Sequence, residues 1–70
     1  MKSLQEIADE YAVNVHAMER HRDELYRRMQ AEPNTEVRFR LRRAINTITQ
    51  AIWQSQDAIR DMREHERHGK

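Results

Sequence analysis

Cysteine is absent from this 70-residue chain, which excludes disulfide staples and thiolate metal sites and fits a reducing compartment. Glycine occurs once, so no glycine-rich loop is available to cradle a phosphate, and proline also occurs once. No apolar run approaches the roughly 20 residues that cross a bilayer. The opening Met1-Lys2-Ser3-Leu4-Gln5-Glu6 turns acidic before any apolar segment of signal-peptide length. A cytoplasmic protein without membrane association is therefore the expectation. Charge of one sign is lacking as well, since 13 basic side chains against 12 acidic ones leave +1, a balance that points to no class of partner.

Its distribution says more than its sum. Residues 20–43 hold eight arginines against Asp23, Glu24, Glu32 and Glu36, a local excess of +4. Residues 1–19 set Lys2 against Glu6, Asp9, Glu10 and Glu19, or −3, and residues 44–70 balance. The middle of the sequence is basic and its start is acidic.

Two long helical patterns flank one break. Ser3 followed by Glu6 fits a capping box, in which the hydroxyl accepts from the third helical N–H and the carboxylate reaches back to the cap N–H. Leu4, Ala8, Tyr11, Val15, Met18, Arg22, Leu25 and Met29 then recur in steps of four and three, flanked by Ile7, Ala12 and Tyr26. Arg22 interrupts the stripe, where it either runs its methylenes along the seam with its head at the edge or meets an acidic partner. Pro33 forbids the α conformation to Glu32, so helix 1 is predicted over about 4–31 and a turn over 32–35. Asn34 or Thr35 can cap helix 2, with Glu36 in its first turn, and the pattern runs from about 35 to 66 before Gly69 marks a stop.

Helix 2 carries two heptad ladders side by side, Ile45, Ile52, Ile59 and Ala44, Ala51, Ala58. With Leu41, Ile48 and Met62 they make an apolar face too wide for one two-stranded seam. The alanines permit close backbone approach along one edge, and the isoleucines beside them can point at a different helix. The fold class predicted is all-α: one domain spanning 1–70, an antiparallel two-helix hairpin about 40–45 Å long. At this size a single core barely compensates for ordering the chain, at roughly 1.5 kcal/mol per residue. Dimerisation into a homodimeric four-helix bundle is expected to complete the core, with helices donated by another protein as the alternative. The expected core comprises Leu4, Tyr11, Val15, Met18 and Leu25 of helix 1. From helix 2 come Leu41, Ile45, Ile48, Ile52, Ile59 and Met62, and a charge at Ile52 is expected to dissociate or unfold the assembly.

Arginines at the turn form the clearest candidate site. Arg27 and Arg28 close helix 1, while Arg38, Arg40, Arg42 and Arg43 open helix 2, so a hairpin gathers both sets at one end. Solvated surface, an acidic protein partner and nucleic acid are three readings of that patch. Lysine clusters and interleaved aromatics are missing, the acidic residues dilute it, and two such long helices suit helix-turn-helix recognition poorly. Phe39 and Trp53 lie about 160° and 120° from Leu41 on the helical wheel, well off the apolar stripe. Aromatics so placed serve as partner anchors. The plainer alternatives are that Phe39 folds over the loop and that Trp53 borders a dimer interface beside Ile52.

Catalysis and metal binding find little support. His16, His21, His65 and His68 are present, and Glu6, Asp9 or Glu10 could approach the last two across a hairpin. No HExxH spacing or paired Glu-x-x-His element occurs, so no metal and no cofactor are expected. Ser3 is a cap, and Ser55 falls on the packing face, where a hydroxyl returns its bond to the i−4 carbonyl. The carboxylates of Asp9/Glu10 and Asp23/Glu24 diverge by about 100° around the helix. The sequence reads as a non-catalytic interaction or adaptor module that self-associates, using the arginine-rich end and the off-core aromatics. A small nucleic-acid-binding or regulatory protein is the competing reading.

Overall fold

The computed structural model describes residues 1–68, with two helices, α1 (Leu4–Ala31) and α2 (Thr35–His68), packed together as a hairpin. Gly69, the expected stop, and the side chain of His68 lie outside the described residues. Helix α1 starts where the cap requires. Ser3 is extended (φ −73°, ψ 163°) and its Oγ accepts from the Glu6 backbone N–H at 3.1 Å. The return contact of the box differs from expectation: Glu6 Oε1 accepts from the Ser3 hydroxyl at 3.5 Å instead of from the cap N–H.

At the other end Glu32 takes φ −86°, ψ 118°, the extended conformation that the following proline demands. Its N–H donates to the Met29 carbonyl at 3.3 Å, and its carboxylate accepts from the Asn34 N–H at 3.1 Å. Asn34, not Thr35, is the cap of α2, since its Oδ1 accepts from the N–H groups of Glu36 (2.9 Å) and Val37 (3.2 Å). A proline that stops one helix and an asparagine that starts the next therefore reverse the chain in three residues.

The rod measures 55 × 16 × 14 Å, longer than the 40–45 Å that two equal helices would give. The reason is α2, which has 34 residues against 28 in α1. Between the helices runs a narrow aliphatic seam of Ala8, Val15 and Leu25 from α1 against Ile45 and Ile52 from α2. These five are the buried hydrophobic residues, and Ala8 is wholly covered. The two ladders of α2 are placed the opposite way from expectation: the isoleucines face α1 and the alanines sit at the flank. Burying isoleucine removes far more apolar surface from water than burying alanine does, and the small Ala8 leaves room for it.

The rest of the expected core is only half-covered by the hairpin. Leu4, Met18, Leu41, Ile48, Ile59 and Met62 are of intermediate exposure, and Tyr11 is exposed. Arg22 is half-buried and has no acidic partner within ion-pair distance among the described residues, which fits methylenes on the seam and a head at its edge. Thr47 and Thr49, rather than Ser55, return hydrogen bonds to i−4 carbonyls, at 3.1 and 2.8 Å. The accessible surface is 5852 Å², whereas a compact monomer of 8.5 kDa exposes about 4,700 Å². The hairpin thus carries an excess of about 1,200 Å².

Since the seam holds the hairpin together, Ile52→Ala is expected to cost about 2–4 kcal/mol in urea unfolding. Val13→Ala, at an exposed site of α1, should cost under about 0.5 kcal/mol. Equal losses at the two positions would contradict the seam.

Candidate partner-binding site

The six candidate arginines lie at the turn end, four to nine residues either side of Asn34. Two of them frame a concavity. Arg38 and Arg42 line an open notch of about 190 Å³ together with Met29, Thr35 and Phe39. Its origin is in the heptad pattern. Arg38 stands seven residues before Ile45, so it holds the next seam position toward the turn, where a further isoleucine would close the gap against α1. The aliphatic seam stops at Ile45, and the space beyond it opens between Met29 and Phe39.

Arg38 and Arg42 are one helical turn apart and project on the same side. Neither is in an ion pair among the described residues, and the same holds for Arg27, Arg28 and Arg43. Arg40 stands 4.0 Å from Glu36, and both side chains are largely exposed, so this contact is worth little. Two uncommitted guanidinium forks beside a thioether and a phenyl ring suit an anionic group attached to an apolar one.

Phe39 lines the notch yet remains 62% exposed, so it does not fold shut over the loop. Trp53, at 61%, is separate from the turn end. It lies two heptads along α2 from Phe39, about 21 Å of helix rise. The two rings share a side of α2 with Asn46 between them, so they make a stripe and not one pocket. Sequence reasoning also left out Tyr26, which is 43% exposed and three residues before Met29 on the same helix. Its flanking position in the pattern was legible, but its exposure depends on how the helices face each other. All four aromatic residues of this chain, Tyr11 included, are exposed.

At the other end of the rod Arg63 reaches across from α2 to Asp9 of α1 at 3.3 Å, and Gln5 donates to the same carboxylate at 3.1 Å. Lys2 pairs with Glu10 nearby. His16 and His21 make long contacts to Glu19 and Glu24 on the surface of α1. No group of three or more His, Asp or Glu side chains among the described residues is placed to hold a metal ion. No helix among them is long and apolar enough to cross a membrane.

With Trp53 exposed and the chain's sole tryptophan, its fluorescence is expected at the red, water-exposed limit and open to quenching by iodide. That result should persist as the chain concentration is raised. Blue-shifted, quencher-resistant emission would instead place Trp53 in an interface between copies. No protein-family model, curated protein or solved structure matches this chain.

Proposed function

We propose that this protein is a non-catalytic helical interaction module that self-associates and receives an acidic protein segment at its turn end. The observation that carries the reading is the notch, where unpaired Arg38 and Arg42 stand beside exposed Phe39 and Met29. Large rings outside the core offer contact area at low entropic cost, and arginine beside them supplies directional bonds to carboxylate. A cysteine-free composition suits a reducing, cytoplasmic setting.

Self-association is supported by the surface excess and by the half-covered aliphatics. Covering about 1,200 Å² per chain exceeds the roughly 800 Å² per partner of an ordinary stable interface. Ile48 is a better probe of assembly than Ile52. Ile52 is 2% exposed inside the hairpin, so a charge there unfolds the chain itself. Ile48 is only half-buried, and Ile48→Glu is expected to shift sedimentation equilibrium toward monomer or to unfold the chain at micromolar concentration. A variant that stays folded with unchanged mass would remove Ile48 from the interface.

The second reading, binding of nucleic-acid phosphates, draws on the same unpaired arginines. Salt separates the two. Phosphate binding to random duplex DNA or RNA should weaken steeply between about 50 and 200 mM salt, with a log–log slope near the number of phosphates neutralised. The proposed module is expected to show no submicromolar binding of that kind. It should select acidic peptides bearing an apolar side chain from a displayed library, with at least about tenfold loss on Phe39→Ala or on Arg38→Ala. Salt-steep nucleic-acid binding abolished by Arg40→Gln with Arg43→Gln would reverse the preference.

A further inference from the structure

The two long sides of the hairpin differ in chemistry. The side marked by the Arg63–Asp9 bridge and the Met29–Phe39–Arg42 notch is polar, with Glu19 and Thr49 between those ends. In an antiparallel helix pair, equivalent heptad flanks of the two helices meet on the same side, so the opposite side follows from the wheel. There α1 presents Leu4, Ile7 and Met18, and α2 presents Leu41, Ile48 and Met62, all of intermediate exposure. The α2 half of this side is apolar over nearly its whole length, while on α1 the exposed Asn14, His21 and Arg28 interrupt the flank that Ile7 begins.

We propose that a second copy of this chain covers that apolar side, related by a two-fold axis perpendicular to the rod, so that the turn of each copy lies beside the open end of the other. This rests on the self-association proposed above and adds its face and orientation. Three observations select it. First, the surface excess matches what a stable pair buries. Second, the rod is electrically polar: residues 20–43 at the turn end carry +4, and residues 1–19, which run from the open end, carry −3. Placing the turn ends together would crowd two arginine-rich ends within a Debye length of about 8–10 Å, whereas opposing them pairs each basic end with an acidic one. Third, full antiparallel overlap of α2 with its copy puts the midpoint of Thr35–His68 on the axis. Ala51 sits there, on the apolar side, where a small residue allows two helices to approach closely. With Ala51 on the axis Arg40 stands level with Met62 of the second copy, one residue from its Asp61, and Asp61 has no ion pair among the described residues. The arrangement leaves Trp53 and the notch on the outer, polar side.

The chain's lack of cysteine makes the test direct. Ala51→Cys is expected to form a disulfide-linked dimer under mild oxidation, because the two sulfur-bearing positions face each other across the axis. Ala44→Cys should link to Ala58→Cys when the two variants are mixed, and not to itself. Gln50→Cys, on the outer surface, should not link. Self-linkage of Ala44→Cys would overturn the orientation and show the turn ends together. A dimer by sedimentation that links at none of these positions would overturn the face while sparing self-association. A folded monomer would overturn both, and a lone chain that is unfolded would assign the face to helices of another protein. A spin label at Gln30→Cys, exposed and outside the contact, reads the orientation without touching the interface. The expected label separation is about 35–40 Å, against about 10–15 Å for turn ends together.

Discussion

Everything in this molecule depends on a seam one residue wide. Ala8, Val15 and Leu25 against Ile45 and Ile52 are the buried hydrophobics among the described residues, yet the helices they join are 28 and 34 residues long. So thin a core follows from geometry. Two cylinders touch along a line, and each helix can turn only about a third of its circumference toward a single neighbour. The composition offers more apolar surface than that line can use. The surplus on α2 is the surface that the proposed second copy would cover.

The seam also decides where the site falls. It ends at Ile45 because Arg38 occupies the following heptad position, and an arginine cannot close a gap that an isoleucine would fill. The notch beside Phe39 is therefore the unsealed end of the core. Its apolar wall is Met29, and its charge is the residue that interrupted the pattern. A local departure from the packing rule marks the proposed binding surface, as is common where a sequence serves something besides folding. Asymmetry between the two flanks has the same root. Arg63, Phe39 and Trp53 fall on one side of α2, while its alanines with Leu41, Ile48 and Met62 fall on the other.

Much of the architecture was written in single residues. Ser3, Pro33 and Asn34 place three of the four helix ends, because caps and breakers act through local backbone geometry that sequence states directly. The face of α2 that meets α1 was not written there. Ile45 and Ala44 stand about 100° apart on the wheel, both on one wide apolar face, and only the fit to Ala8 and Val15 across the seam chooses between them. The same limit applies to the site. Periodicity put Phe39 and Trp53 off the stripe correctly, but grouped them with the arginines, and their separation of about 21 Å depends on rise along the helix and not on angle. Tyr26 entered the picture only when α1 and α2 had a definite facing.

The two proposals constrain each other through distance. If two copies oppose their turns, the dimer presents two notches at opposite ends of the 55 Å rod, each on the outer side. With Ala51 on the axis, the two Phe39 rings are about 36 Å apart along the helix direction. A partner carrying one acidic segment can then fill either notch independently, and its binding shows no cooperativity. A partner carrying two such segments gains avidity only if its linker spans that distance. A flexible chain reaches about 5–6 Å times the square root of its length, so about 50 residues match the span. Much shorter linkers engage one notch at a time and bind no better than a single segment. Turn ends held together would reverse this, placing the notches close enough for short linkers to bridge. The orientation of the proposed dimer would therefore fix which architecture of partner it could hold tightly, although no residue of the notch differs between the two arrangements.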